Sequence, residues 1–473
     1  MTTPPPVSVV VPYYRAQADL DRLVAALVAQ EHPASRLQLV VADDGSPEPP
    51  CLPSGLPFDA VTVRQPDRGF RPAAARALGV RAADGEVLAF LDGDMLPEPN
   101  YLRQALAARA GDAPGGVADA VVVGRRRHVR AQAVEAGWRP GAPLAAADVL
   151  EEPAWLRRAY AESRDLAAAD STSYRFVISA VLTVARDVYE DAGGFDPAFV
   201  GYGGEDWELA HRLWRVGGAF RHAPRAVAWQ AGEDFAGRTE PAEAAELKAR
   251  ESLVLASRIS APTARGTGLC LGVSPRLEAR VRASSGSAAA AAATVVGVDA
   301  VLRAVPGARV TVDGSLDPAA RQALADPRVR VEEESAPTPV EISSTAPEPP
   351  ARGGLAAVRA SADWTARVDV PLRPVGPGER PDPEAVAAWL LRLERAGVER
   401  VVVLGELRDD NRDAAGGVRH GGRAVLAELT CARARWRPRR GGRARTWRVP
   451  ATRLGWRPVG ARPDLEAWWG GWG

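Results

Sequence analysis

The sequence predicts an α/β protein: a mostly parallel, Rossmann-like sheet covered by helices in the first half, then a second, C-terminal α/β domain. Three observations predict it. From residue 7 to residue 94, apolar runs alternate with stretches of helical periodicity, the pattern of a β-α-β-α-β chain. Those runs are continuous rather than alternating, as strands buried on both faces of a parallel sheet are. The chain has 473 residues, 46% of them hydrophobic, enough to bury more than one core.

The elements follow in order. "VSVVVP" is the first strand, and the helix near 18–30 places Leu20, Leu23, Val24, Leu27 and Val28 on one face of a 3.6-residue period. "LQLVVADD" and "VTVRQ" are the next strands, a helix spans about 72–83, and "EVLAFLDGD" is the fourth strand. A helix around "AWLRRAYAESRDLAA" precedes the apolar run "FVISAVLTV". The helix after "GYGGED" opens at Glu205 and Asp206 and stops at Gly217-Gly218. A strand "RAVAWQ" and a charged helix near 238–258 close the first domain, so the expected division is 1–258 and 259–473.

The second half is plainer. Residues 283–294 and 334–350 are of low complexity and read as loops or linkers. "VDAVLRAVPGARVTVDGSLDP" repeats the helix, turn, strand and Asp-Gly-Ser of "AALVAQEHPASRLQLVVADDGSPEP". "VERVVVLGELRDD" repeats "GEVLAFLDGDMLP", with Gly405 and Leu407 where the aspartates stood. The accessory domain therefore reads as a degenerate internal duplication, the alternative being an unrelated α/β domain.

Sixty Lys+Arg against 59 Asp+Glu leave a formal charge of +1, which excludes a global field recruiting nucleic acid or an anionic membrane. Cys51, Cys270 and Cys431 are too scattered for a disulfide framework or thiolate metal site and read as small core residues. No basic n-region with an apolar stretch opens the chain, and no run of about 18 apolar residues occurs, so a cytoplasmic soluble protein is expected. The C-terminal "RARWRPRRGGRARTWR" leaves a peripheral membrane contact, a glycan platform or nucleic acid open, but no nucleic-acid motif accompanies it. A solvated basic edge with packing tryptophans is its commoner meaning.

In open parallel sheets the ligand crevice lies beyond the carboxyl ends of the strands. Here those ends carry "PYYR", Asp43-Asp44-Gly45-Ser46, "PDRGFR" and Asp92-Gly93-Asp94. Two carboxylates one residue apart suit a hard divalent cation, Mn²⁺ or Mg²⁺, together with the oxygens of a diphosphate. Asp43 and Asp44 either build an Asx-turn or accept from a nucleoside. Arg68, Arg71 and Arg76 are either solvated arginines or guanidinium forks for phosphate. Glu205 and Asp206 suit a helix N-terminus whatever they do, but the glycines before them let backbone and substrate come close, and one carboxylate there would serve as general base on a hydroxyl.

Taken together, "SVVVPYYR", "VVADDGS", "GFRPAAARALGVRAADGEVLAFLDGDMLP" and "GGFDPAFVGYGGEDWELAHRL" make residues 7 to about 235 resemble the inverting family 2 glycosyltransferases of the GT-A fold, in the branch of chondroitin-polymerase-like and galactosyltransferase-like domains. The resemblance implies an enzyme moving a sugar from a nucleotide-diphospho-sugar, a UDP-sugar above all, to a saccharide or other hydroxyl acceptor. It implies donor contacts around Pro12, Tyr14, Asp43 and Asp44, and metal at Asp92 and Asp94; Arg15, Arg68, Arg71, Arg76, Asp92 and Gly93, at the same strand ends, complete the expected donor-binding set. It also implies a base at Asp206 and acceptor binding at Glu205. The family often adds a histidine metal ligand at the end of the strand after the Glu-Asp helix; here that strand offers Trp229 and Gln230, with His222 at its start, leaving the third ligand as Gln230, His222 or none. A non-catalytic nucleotide-sugar- or glycan-binding protein on the same fold is the rival reading.

Overall fold

The computed structural model describes residues 3–110, 120–201, 203–232, 241–266, 275–283, 287–332, 363–368, 372–374, 383–405, 419–420, 423–435, 445–451 and 456–458. The chain divides into two compact units, one built from Met1–Ala256 and the other beginning at Ser257.

In the first unit, β1 (Val7–Tyr13), β2 (Leu37–Asp43), β3 (Asp59–Arg64) and β4 (Val87–Leu91) run parallel in the order β3-β2-β1-β4. Every residue of β4 is buried, whereas β3, at the edge, is largely exposed. Helix α1 (Gln17–Val28) buries Leu20, Leu23, Val24 and Leu27, the stripe that its spacing predicts, and leaves Val28 exposed. Helix α2 (Pro72–Arg81) packs so closely on the sheet that a Cβ at Gly79 would lie 2.6 Å from Val10 Cγ1.

The unit continues with β5 (Met95–Pro97), α3 (Tyr101–Ala110), β6 (Ala120–Val129), α4 (Ala131–Glu135), β7 (Val149–Leu150) and α5 (Ala154–Glu162). Then come β8 (Val181–Ala185), α6 (Arg186–Asp191), α7 (Glu205–Arg215), β9 (Ala219–Ala231) and α8 (Pro241–Ala256). The sheet order is β3-β2-β1-β4-β8-β6-β9-β5, with β7 on β6. Strand β8 is antiparallel to both β4 and β6, and β6 is parallel to β9, so the carboxyl ends of β4, β6 and β9 reach the same edge. This is the GT-A arrangement. The apolar run "FVISAVLTV" is strand only from Val181, because a 3-10 turn occupies Ser173–Phe176. "RAVAWQ" is the end of a strand of 13 residues. Strand β6 escapes sequence reading because its second half is polar: "GRRRHV" follows "AVVV".

In the second unit, β10 (Leu277–Arg282), β11 (Ala308–Asp313), β12 (Val329–Glu332) and β13 (Trp364–Val368) are parallel in the order β12-β11-β10-β13. They are joined by β14 (Leu372–Pro374), β15 (Arg400–Gly405), β16 (Arg419–His420), β17 (Arg423–Cys431), β18 (Thr446–Pro450) and β19 (Trp456–Pro458). The order β12-β11-β10-β13-β17-β15-β18 repeats β3-β2-β1-β4-β8-β6-β9 strand for strand. Strand directions repeat too: β17 is antiparallel to β13 and β15, and β15 is parallel to β18; β14 pairs antiparallel with β19, which follows β18 in the chain, where β5 pairs antiparallel with the end of β9. Seven strands of the second unit thus repeat the order and directions of seven in the first, while β14 and β19 form a separate two-stranded sheet and β16 pairs with β17 rather than with β15.

That repeat corrects the sequence alignment. Strand β15, which holds "VVVLG", stands where β6 stands, and the counterpart of β4 is β13, whose sequence continues as Asp369-Val370-Pro371. Leu407 and residues 369–371 lie outside the described residues. A second correction concerns 283–294. Ala288 begins helix α9 (Ala288–Ala304), whose N-cap Ser287 accepts a hydrogen bond from the Ala290 N–H. Low complexity here is a run of alanine, the strongest helix former, behind a serine cap. Cys51 is exposed rather than core, Cys431 is buried, and Cys270 lies outside the described residues, as do 334–350 and 436–444.

Candidate active site

The carboxyl edge of the first sheet opens onto a crevice of about 670 Å³. Of the residues singled out from sequence, Pro12, Tyr14, Asp44, Arg76, Asp92, Gly93, Asp94, Glu205 and Asp206 line it. Asp43, Arg15, Arg68 and Arg71 are not among its lining residues.

The aspartates of the β2 end divide their work. Asp43 is fully buried, accepts the Ser46 N–H, three residues on, at 2.8 Å and pairs with Arg64 Nε at 3.2 Å, so it closes the turn at the strand end by a side-chain bond one residue wider than an Asx-turn. Gly45 makes that turn possible: its φ is +89°, and a Cβ there would lie 2.2 Å from the Asp67 nitrogen. Asp44 turns to the crevice, accepting from Gln65 Nε2 at 2.6 Å and from the Arg71 N–H at 2.7 Å. Arg71 also places its guanidinium 3.3 Å from Asp44, which ties down the loop that sequence reading offered as a phosphate grip. Tyr14, 40% exposed, hydrogen-bonds Asp67 at 3.1 Å. Arg15, at φ 52°, donates its backbone N–H to Ser46 Oγ, and Arg68 is exposed.

Arg76 is the hinge of the charge arrangement. It is buried on the sheet-facing side of α2, with one guanidinium nitrogen 2.5 Å from Asp92 and the other 3.1 Å from Glu205. Burial works against its charge, and the two carboxylates outweigh burial, so its pKa is raised. Beside it, Asp94 accepts from Gln230 Nε2 at 2.6 Å, and the β5–β9 register sets Gln230 opposite Met95. Gln230 is buried, and its Oε1 has no hydrogen-bond partner among the described residues. No group of three or more His, Cys, Asp or Glu side chains suited to a metal occurs among the described residues. A cation at Asp92 and Asp94 would therefore need a different third oxygen, and the orphaned Gln230 carboxamide oxygen is chemically suitable.

Glu205 and Asp206 open α7 behind the N-cap Gly204, whose φ of +88° favours glycine, so no side chain caps the helix. A Cβ on Gly203 would meet the Glu251 carboxylate at 2.9 Å, so the glycines admit α8 beside the helix terminus. Asp206 keeps part of its surface open to the crevice, yet the protein around it is dense enough for desolvation to dominate. Burial first, then the Glu205 carboxylate, pushes its pKa up to about 7, against the opposing pull of Arg76 and the Trp207 N–H. A carboxyl group poised near neutrality at a crevice wall can take a proton from a hydroxyl and later release it.

Other lining residues escaped sequence reading. Arg126 from β6, Trp155 from α5, Ser179 before β8, and Lys248 and Glu251 from α8 all border the crevice. Lys248 pairs with Glu251 at 2.9 Å and lies 4.3 Å from the centroid of the Trp207 ring. Only the three-arginine run of β6 carried a signal, and it reads as a solvated charge run until strand alternation is known. His222 stacks on Tyr160, with ring centroids 3.7 Å apart, and approaches Asp165 at 2.7 Å; burial lowers its pKa. His211 is buried in edge contact with Tyr174. Neither histidine is among the lining residues.

Residues 8–142 match the family described as glycosyl transferase family 2, and residues 167–230 match the one described as N-terminal domain of galactosyltransferase. Validoxylamine A glucosyltransferase of Streptomyces hygroscopicus subsp. limoneus is 34% identical over 227 residues, covering 44% of this chain and 48% of that protein. Hyaluronan synthase of Pasteurella multocida is 28% identical over 238 residues, covering 45% of this chain and 23% of that protein. The mannosyltransferase PcManGT from Pyrobaculum calidifontis, solved in complex with GDP-Man and Mn²⁺, is 20% identical with a TM-score of 0.36, covering 54% of this chain and 64% of that one. The chain spans about half the length of the first curated relatives that it matches.

Proposed function

We propose that this chain, which carries a family 2 glycosyltransferase domain over residues 8–142, transfers a sugar from a nucleotide-diphospho-sugar to an acceptor hydroxyl with inversion at the anomeric carbon. The observation that carries the reading is the pairing, across one crevice, of a strand-end Asp92-Gly93-Asp94 with an Asp206 held near neutral pKa. Pro12, Tyr14 and Asp44 border the donor end, where a nucleoside, uridine in the preferred reading, would lie over β1 and β2. Asp92, Asp94 and Gln230 would hold Mn²⁺ or Mg²⁺. When bound, such an ion offsets the charge of the diphosphate that leaves.

Asp206 accepts the acceptor's hydroxyl proton; the oxygen bonds to the anomeric carbon as the bond to the diphosphate oxygen breaks, and the electron pair leaves with the nucleoside diphosphate. Glu205, held by Arg76, orients the acceptor. The test is Asp206→Asn, which should lower turnover at saturating acceptor by about 10²–10⁴-fold while leaving donor-nucleotide affinity unchanged. Turnover at the wild-type rate in the folded variant would remove Asp206 from the mechanism. A non-catalytic nucleotide-sugar-binding protein is the second reading, favoured by Gln230 standing beside Asp94 where the family resemblance leads a histidine to be expected.

A further inference from the structure

Three cations line the crevice, and two are already paired: Arg76 with Asp92 and Glu205, Lys248 with Glu251. Arg126 is different. No hydrogen bond or ion pair of its side chain occurs among the described residues, and its Nε is buried without a partner. Its neighbours on β6 differ in having a counter-charge: Arg125 and Arg127 approach Glu152 at 2.6 and 3.6 Å, although Arg127 Nε is likewise buried without a hydrogen-bond partner among the described residues. Strand alternation explains the split: side chains two apart share a face, so the central arginine points away from the flanking two. A buried guanidinium nitrogen left without an acceptor costs free energy, which a bound oxyanion would relieve.

Its place in the sheet says which end of the crevice it serves. Tyr14 and Asp44 follow β1 and β2, and Asp92 follows β4; β6 lies two strands beyond β4, on the side away from β1. Arg126 also shares the crevice with Ile178 and Ser179, before β8, and with Trp155, which is 47% exposed. An exposed indole and a guanidinium fork lining one crevice suit a pyranose that carries an anionic substituent.

We propose that Arg126, with Trp155 as stacking platform, forms an acceptor subsite for a saccharide bearing an oxyanion, carboxylate or phosphate. This deepens the glycosyltransferase reading and rests on it for the word acceptor; the anion subsite itself does not. The test uses the full chain and p-nitrophenyl β-glucuronide, p-nitrophenyl β-glucoside and glucose 6-phosphate as probes, with binding followed by saturation-transfer NMR. In parallel, calorimetry follows UDP and GDP binding with Mn²⁺. The wild type should bind the glucuronide or the sugar phosphate about tenfold more tightly than the neutral glucoside, and whichever anion wins identifies the group.

Arg126→Gln should abolish that preference, Arg126→Lys should keep part of it, and Trp155→Ala should weaken all three probes alike. UDP affinity should stay at the wild-type value in every variant. No binding of either anion, no preference over the glucoside, or a loss of UDP affinity in Arg126→Gln would overturn the proposal, the last by moving Arg126 to the donor diphosphate. Absence of both UDP and GDP binding to the wild type would instead strike the glycosyltransferase reading, leaving the probe preference to be judged by itself.

Discussion

At the scale of single residues, the site is a problem of charge in a confined space. Asp92, Asp94, Glu205, Asp206 and Glu251 border the same crevice, and burial, followed by repulsion from Glu205 and Glu251, raises the pKa of Asp206. Raising the pKa from the ordinary 3.8 to about 7 has a thermodynamic consequence, because the native state then holds a proton that the unfolded chain has lost. Rising pH across that window costs stability. Asp206→Asn should therefore melt at a higher temperature than the wild type at pH 8, with the gap closing below about pH 4, as calorimetric melting curves would show. Turnover should move oppositely, increasing with pH through about 7 as the carboxylate forms. A second residue-scale prediction concerns Gln230. Replacing it by His supplies a nitrogen ligand beside Asp94, and Gln230→His should tighten Mn²⁺-dependent UDP binding, measured by calorimetry with and without the metal.

Elements position these groups through their ends. Parallel strands β1, β2 and β4 deliver their polar ends to one edge, and β8, running the other way, lets β6 and β9 reach that edge too. Helix α7 enters through Gly203 and Gly204, both left-handed, which removes the side chains that would collide with α8. Gly204→Ala should cost about 1–2 kcal/mol of stability for its φ of +88° alone, and it would press a methyl to 3.2 Å from Glu251 Cγ. The expected readout is a lower melting temperature together with lower turnover, since the same shift moves Glu205 and Asp206. A variant with unchanged stability and activity would mean that the terminus has room to adjust. The β-α-β-α-β elements were legible because period and burial coincide in them. Strand β6 was not, because three arginines on alternating faces look like a surface run until their neighbours are known.

At the scale of the whole molecule, two units share one strand order but not one site. In the first, α7 with Glu205 and Asp206 stands between β8 and β9; the corresponding connection from β17 to β18 begins with a 3-10 turn at Ala432–Arg435. Gln230, opposite Met95, corresponds by register to Pro458, opposite Leu372, and Asp94 corresponds by spacing after the fourth strand to Pro371. Every residue lining the crevice precedes Ala256. A chain ending at residue 260 should therefore bind UDP with Mn²⁺ as the full chain does, by calorimetry, if it remains folded by circular dichroism. Nucleotide binding confined to residues 257–473 would reverse that assignment.

By itself the sequence determined what short-range physics controls: which runs are strands, which helix faces are apolar, and that carboxylates cluster at strand ends and at one glycine-led helix start. Leu20, Leu23, Val24 and Leu27 are buried because a 3.6-residue period puts them on one side. Tertiary structure decided which of those groups meet. Arg76 reaches Glu205 across 129 positions and Gln230 reaches Asp94 across 136, distances in sequence that no periodicity spans. It also separated Asp43 from Asp44, turned Arg126 but not Arg125 into the crevice, and brought Glu251 of α8 to the helix start. The reason is physical: secondary structure follows from near neighbours along the chain, whereas the pKa of Asp206 and the absence of a counter-charge for Arg126 among the described residues depend on strand order and burial, which exist only once the sheet has closed around them.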